Sequence, residues 1–332
     1  MLNVAVLLSG AHPIRASIRR ISEPVVRCVS DGEGLEADYR SKEELLHPAR
    51  SGDPFSIPRT ALCMTGLFGQ EGSFTRVLER LGGGIEIRSR VALPMGSGLG
   101  TSSILAATIL RGLSEMLGVE LNDQSLSEQV MSLEQRMTTG GGWQDQAGGI
   151  FPGAKLAVTG PGLQQRIRVQ PLLWSPERQQ EFEQLVVLYY TGIQRVARDL
   201  LRQVVGRYLA RETACVQVLH SIKTLAMEMA HAMQEGEWAH LGALLTRHWE
   251  LNKTLDPNTA NAPINGLLEA ARPFIHGAKL AGAGGGGFLM MVARDPRAAE
   301  ELKALLRTQD PQGGSVHDWS IAREGMRVCK GY

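Results

Sequence analysis

The sequence predicts an α+β protein built as two lobes. Three observations carry that prediction. A chain of 332 residues that is 43% apolar can bury a large core, and its length corresponds to about two domains. Strand-like and helix-like stretches are mixed along it without strict βαβ alternation. Its 38 glycines are bunched at 82–84, at 96, 98 and 100, at 140–142, 148–149, 282 and 284–287, which marks backbone turns and close approaches rather than linker or low complexity.

The elements follow in order. Residues 2–8 are an apolar run and 14–21 alternate apolar with basic residues, which reads as a hairpin-like pair of strands. The polar stretch 30–57, with Pro48, Pro54 and Pro58 in or beside it, reads as loop plus a short helix. Helices are expected near 59–69 and 73–81, ended by Gly82-Gly83-Gly84. Residues 85–91 alternate cleanly and form a half-buried strand. After a glycine loop, helices run to about 117 and over 124–137, the second broken by Thr138-Thr139-Gly140-Gly141-Gly142. Strands near 154–158 and 165–170 close a first lobe at 1–172. In a second lobe, 173–332, residues 186–190 form a buried strand and helices fill most of 195–252. The set Met227, Met229 and Met233 reads as core filler. A helix near 263–273 leads to a glycine turn that enters a strand after residue 287. A helix over 296–307 and two short strands end the chain.

Composition excludes several function classes. With 35 basic against 34 acidic residues, no long-range field draws nucleic acid or an anionic membrane. No apolar run reaches membrane-spanning length, and the first residues read as a strand, not a leader. Cys28, Cys63, Cys215 and Cys329 form no CxxC, so reduced thiols in a cytoplasmic protein are expected. The histidines show no ligand spacing, and His220, His231, His240 and His248 read as partly solvated helix residues. No feature sets an oligomeric state.

Chemistry concentrates in three places. Pro94-Met-Gly96-Ser97-Gly98-Leu99-Gly100-Thr101-Ser102-Ser103 lies between a strand and a helix. Glycines let backbone approach a ligand closely, and a helix start offers unpaired N–H groups, so an anionic phosphate is the guest this arrangement suits. A Walker A loop is excluded because no lysine lies between residues 44 and 154, and the spacing G-x-G-x-G is not the dinucleotide fingerprint. A tight strand–helix turn capped by Thr101 or Ser102 is the plainer alternative. Glu134 and Asp145 form a second place. Phosphoryl transfer to a hydroxyl needs metal ligands and a group that takes or orients the attacking proton. A carboxylate on a helix end and another on a glycine-rich turn offer both, although an exposed helix residue and a turn former would look the same. The third place is Gly282-Ala-Gly284-Gly285-Gly286-Gly287-Phe288, which suits either a bare wall beside a ligand or a packing contact.

The loop 94–103 resembles the Pro-x-x-x-Gly-Leu-Gly-Ser-Ser loop of the GHMP kinases. Thr-Thr-Gly-Gly-Gly-Trp-Gln-Asp-Gln at 138–146, Tyr190-Thr-Gly192 followed by Arg195 and Arg198, and the run 280–288 are similar to the fucokinase branch of that family. The resemblance implies a two-lobed GHMP-kinase fold with the active site between the lobes, and ATP and Mg²⁺ as cofactors. It implies Pro94, Gly96, Ser97, Gly98, Leu99, Gly100, Thr101, Ser102 and Ser103 on the nucleotide, Ser102 and Glu134 on the metal, and Asp145 as base. Gly141, Gly142, Trp143, Gly284, Gly285 and Gly286 would line the substrate or the active-site wall, with Trp143 against a sugar face or in the core. The reaction implied is ATP-dependent phosphorylation of the anomeric hydroxyl of L-fucose or a related sugar. Heptose-7-phosphate 1-kinase and a nucleotide-binding protein without catalysis are the alternatives. Fucokinase-like chains are expected to carry an Arg-x-Asp-x-x-Gly-Gly-Trp-x-Asp-x-Pro segment before the first strand, and this chain has none. The expectation is therefore a chain that binds MgATP but phosphorylates sugar weakly or not at all.

Overall fold

The computed structural model describes every residue except 48–51, 70–71, 95, 138–141, 163–165, 195–197, 283, 309–312 and 332, and the side chains of 198–202. Two compact units make up the chain, and each is assembled from separate stretches. One holds Met1–Ala11, Pro94–Gly100 and Phe151–Gly325, the other His12–Leu93, Thr101–Ile150 and Met326–Tyr332.

In chain order the elements begin with β1 (Leu2–Val4), β2 (Val6–Leu8), β3 (Ile14–Ile21), β4 (Val26–Ser30) and β5 (Leu35–Tyr39). Helices α1 (Lys42–Leu46), α2 (Ser56–Met64) and α3 (Phe74–Leu81) follow, then β6 (Gly84–Val91). Next come α4 (Thr101–Leu117), α5 (Asp123–Arg136), α6 (Gln144–Ile150), β7 (Ala154–Thr159), β8 (Ile167–Pro171), α7 (Pro176–Leu185) and β9 (Val186–Tyr190). The remainder is α8 (Arg198–Leu209), α9 (Thr213–Glu235), α10 (Trp238–Leu255), α11 (Ala262–Ala271), β10 (Ile275–Leu280), β11 (Phe288–Ala293), α12 (Pro296–Thr308), β12 (Ser315–His317) and β13 (Trp319–Ile321). The α+β expectation holds.

The unit that contains α4–α6 is built on a sheet of order β3-β6-β4-β5. The strand read at 85–91 forms: Ile85 and Ile87 are buried, each contributing about 1.5–3 kcal/mol. Glu86 between them is buried too, so the strand is not half-buried in simple alternation. Helix α4 lies on β3, so closely that a Cβ on Gly112 would sit 2.7 Å from Ile18 Cδ1. Ala106, Ala107, Ile109, Leu110 and Leu113 of α4 are buried, and α5 and α6 pack on the same helix. Side chains at helix starts accept the first backbone N–H groups: Ser73 from Arg76 and Asn122 from Ser125.

The hairpin read at 2–8 and 14–21 does not form. Residues 2–8 split into β1, paired with β7, and β2, paired with β13, while β3 pairs with β6. Cross-strand chemistry explains the choice. Ile18 faces Ile87 and Arg19 faces Glu86, and the Arg19 Nε–Glu86 Oε1 pair closes at 2.8 Å, a match that the uncharged residues 2–8 lack. Within 30–57, β5 is an additional strand, held on β4 by Arg27 against Asp38 at 2.7 Å.

The unit that contains Pro94–Gly100 carries a sheet of order β10-β11-β9-β12. Its core gathers Val187, Tyr189, Trp249, Leu280, Leu289 and Met291. Strand β10, which the sequence pattern hid, packs on α10 with Gly277 set against Gly242: a Cβ there would fall 1.9 Å from the Gly242 carbonyl oxygen. Met229 and Met233 are core, but Met227 is 52% exposed, so the methionine set fills the core only in part. His220, His231 and His240 are exposed and His248 is half-buried. All four cysteines are free. Among the described residues no helix is long and apolar enough to cross a membrane.

Candidate active site

The loop and the C-terminal glycines touch within one unit. Gly96, Gly98 and Gly100 all have positive φ, at 73°, 77° and 70°, a conformation that side chains with a Cβ rarely adopt. Ser97 between them is buried, its N–H donates to the Pro94 carbonyl at 3.2 Å, and its own carbonyl accepts from Phe288 N–H at 3.0 Å. A Cβ on Gly98 would lie 2.7 Å from the Ala281 carbonyl oxygen, and one on Gly287 would lie 2.4 Å from that of Ser97. Backbone therefore lies on backbone, and the 282–287 cluster is what shapes the loop. Gly284 is confined by Thr259 and Trp249, and Gly286 by the Ile193 carbonyl. Gly285 donates to the Thr259 carbonyl, and its carbonyl accepts from Asn261 Nδ2 at 3.2 Å. The bareness at 284 and 286 is thus accounted for by packing inside this unit. Leu99 is half-buried and Pro94 likewise. After Gly100 the chain passes into α4 of the other unit.

In that unit Glu134 is not the exposed helix residue that its type suggests. Leu126, Val130, Leu133 and Glu134 are all buried on α5, a spacing of i, i+4, i+7 and i+8 that puts the carboxylate on the apolar stripe. That spacing was legible in the sequence as the sign that Glu134 faces inward. Ser103 Oγ donates to Glu134 Oε1, and Gln146 Nε2 donates to Glu134 Oε2 at 2.7 Å. Burial pushes the Glu134 carboxyl up from its ordinary value, and the two hydrogen bonds oppose that rise. Ser102, expected beside Glu134, is exposed on the first turn of α4, and its neighbour Ser103 is the residue that reaches the carboxylate. One helical step of about 100° separates the two side chains. Thr101 is half-buried at the helix start.

Asp145 lies in the first turn of α6 rather than on an irregular glycine turn. Gly149 belongs to this short helix, and a Cβ there would fall 2.3 Å from Ile104 Cγ1 of α4, so its bareness lets α6 seat closely. Burial first, and the Glu134 carboxylate second, push the Asp145 carboxyl up to about 6, against a hydrogen bond from Gln144. Gly142 is exposed and Trp143 half-buried just before it. Gly141, residues 138–140 and Arg195 lie outside the described residues, as does the side chain of Arg198.

The family profile described as GHMP kinases N terminal domain matches residues 71–153, and the profile GHMP kinases C terminal matches 229–311. The chain belongs to the GHMP kinases. The bifunctional fucokinase/GDP-fucose pyrophosphorylase of Arabidopsis thaliana is 35% identical over 321 residues, covering 97% of this chain and 30% of that protein. The L-fucokinase/L-fucose-1-P guanylyltransferase of Bacteroides fragilis is 34% identical, covering 99% of this chain and 35% of that protein. The chain thus spans about a third of the length of these curated relatives. The crystal structure of a D-glycero-D-manno-heptose 1-phosphate kinase from Bacteroides thetaiotaomicron superposes with a TM-score of 0.69 at 19% identity, over 95% of this chain and 87% of that one, which shows the GHMP fold.

A divalent ion fits what this GHMP kinase presents. Two neighbouring carboxylates are raised together with no third acidic, His or Cys partner gathered among the described residues. All the donors are hard oxygens. Mg²⁺ is characteristically held by one or two carboxylates and substrate phosphates, the rest of its shell being water.

Proposed function

We propose that this chain is an ATP-dependent sugar 1-kinase of the L-fucokinase type. The carrying observation is the pair itself. Glu134 is buried on α5 and fixed by Ser103 and Gln146. Asp145, in the first turn of α6, feels its charge and is raised to about 6 by burial and by Glu134. Both lie in the same unit as the start of α4, into which the glycine loop leads. A base with a pKa near the working pH is what general-base catalysis favours. The identity of 34–35% over nearly the whole chain with two proteins named as fucokinases supports L-fucose or a related sugar as acceptor.

In this reading the backbone of 94–100 and the first turn of α4, Thr101 to Ser103, cradle the phosphates of ATP. Glu134 would hold Mg²⁺, and the bound ion would offset charge on the phosphate oxygens. Asp145 accepts the proton of the anomeric hydroxyl. The freed oxygen attacks the γ-phosphorus, the bond to the bridging oxygen of the β-phosphate breaks, and ADP leaves. Gly142 and Trp143, just before Asp145, border the sugar.

The test uses the chain in excess over ATP with L-fucose, read by ³¹P NMR. A sugar 1-phosphate resonance should appear with the wild-type chain. Replacing the base, Asp145→Asn, should slow it by about 10²–10⁴-fold with nucleotide binding kept. Turnover of Asp145→Asn near the wild-type rate refutes the base assignment, and transfer to a different sugar only refutes the acceptor.

A further inference from the structure

Beside the acidic pair one polar atom has no role in that mechanism. Gln146 is fully buried on α6. Its Nε2 donates to Glu134 at 2.7 Å, whereas its Oε1 is buried with no hydrogen-bond partner among the described residues. The amide cannot be turned round, because an ionised carboxylate only accepts and so must face the NH₂ end. The carbonyl end is therefore fixed pointing away from the Glu134 oxygen that holds the NH₂ group. A buried acceptor without a donor costs roughly 1–3 kcal/mol, and such an orphan in a native fold calls for a bound water or ion. A carboxylate cannot satisfy Oε1, which needs an O–H or N–H donor or a cation to coordinate.

A hydrated divalent ion supplies one. Mg²⁺ gives up its waters reluctantly and keeps several when bound by carboxylates. We propose that Gln146 is a positioning residue for the metal: its N–H end fixes the Glu134 carboxylate, and its Oε1 accepts a hydrogen bond from a water of the ion's own shell. This rests on Glu134 being a metal ligand, as in the function proposed above. Ser103 completes the clamp by holding the other Glu134 oxygen, so the carboxylate is oriented from two helices at once. Partners of this kind, one shell out from a metal, set the ligand's direction and its basicity.

The test measures Mn²⁺ as a probe ion, by loss of the free-ion EPR signal, on the full chain with saturating ADP. Gln146→Met keeps the volume and removes both polar ends. It should bind Mn²⁺ about 10- to 100-fold more weakly than wild type, with the melting temperature and metal-free ADP binding unchanged. Affinity within about threefold of wild type overturns the proposal, because an ordinary buried water then satisfies Oε1 and Glu134 still stands as ligand. A wild-type chain that takes up no Mn²⁺ overturns the metal reading and this proposal with it. If Gln146→Met does not fold, the wild-type chain decides the matter by ¹⁵N NMR. The Gln146 side-chain amide should shift on adding Mg²⁺ and broaden with Mn²⁺, and an amide unmoved by either ion refutes the proposal.

Discussion

Gly287→Ala probes the contact that shapes the glycine loop at 94–100. Two costs can be worked from the structure. Gly287 has φ +84°, and an alanine in that region costs about 1–2 kcal/mol. Its Cβ would also lie 2.4 Å from the Ser97 carbonyl oxygen and 2.7 Å from the Ser97 carbonyl carbon. Both neighbours are backbone, so relief requires moving the loop, at about 1–3 kcal/mol for overpacking. Gly153→Ala is the control: its φ is +65°, and nothing lies within 4 Å of the added Cβ. The difference between the two variants isolates the steric part, about 2 kcal/mol at the centre of that range. At 2–4 °C per kcal/mol, Gly287→Ala should melt roughly 4–8 °C below Gly153→Ala in differential scanning calorimetry. Because Ser97 carries the displaced carbonyl, ADP affinity should fall for Gly287→Ala and hold for Gly153→Ala. Equal melting temperatures and equal ADP affinities would show that the loop does not rest on residue 287.

Buried charge makes both stability and turnover depend on pH. The Asp145 carboxyl is raised to about 6 from its ordinary 3.8, so between those values the folded state binds the extra proton and stability falls as pH rises. In EDTA, Asp145→Asn should therefore melt higher than wild type at pH 7.5, and the gap should close toward pH 4. A constant gap across that window refutes the assignment. In the same pH range kcat/KM of the wild type should fall as acid protonates the base below about pH 6. Lys155 has the opposite sign. Its side chain is fully buried in β7, donating to the Gly153 carbonyl at 3.0 Å, and burial pulls its pKa down to about 7. Above pH 7 the unfolded chain holds the proton that the folded chain has released, so wild-type stability should gain on Lys155→Met as pH rises to 10. Parallel melting curves from pH 7 to 10 would refute it.

The sequence disclosed elements whose signal is local. Alternation at 85–91 and the apolar run at 186–190 became β6 and β9 because a period of two is written in consecutive residues. The failures are the elements whose cause is distant. Whether residues 14–21 pair backward or forward depends on Arg19 meeting Glu86, sixty-seven positions away, and a strand pattern alone carries no partner. Ile275-His-Gly-Ala-Lys-Leu280 lacks alternation because Gly277 is reserved for the approach of α10, a requirement that only α10 can reveal. Strand β5 is an edge strand whose two acids, Glu36 and Asp38, both serve Arg27 on β4, so it reads as polar loop.

The same division separates the parts of the site. The glycine loop and the Glu134–Asp145 spacing stand out in the sequence because both are short patterns. What the sequence missed is the machinery that holds them. Ser103 in place of Ser102 on Glu134 is a matter of helical phase: α4 buries Ser103 along with Ala106, Ala107 and Leu110, and position 102 falls outside that stripe. Gln146 was read only as part of a motif, since nothing local says that its amide is buried against a carboxylate twelve residues back. The C-terminal glycines suit a wall beside a ligand in the sequence, but their close contacts are with the protein itself: Gly287 lies on Ser97 of the loop, Gly284 on Thr259 and Gly286 on Ile193. A ligand wall would tolerate a small side chain at the expense of affinity alone. A backbone-on-backbone contact cannot, so substitution at 98 or 287 must cost fold stability and nucleotide affinity together, whereas Asp145→Asn separates the two.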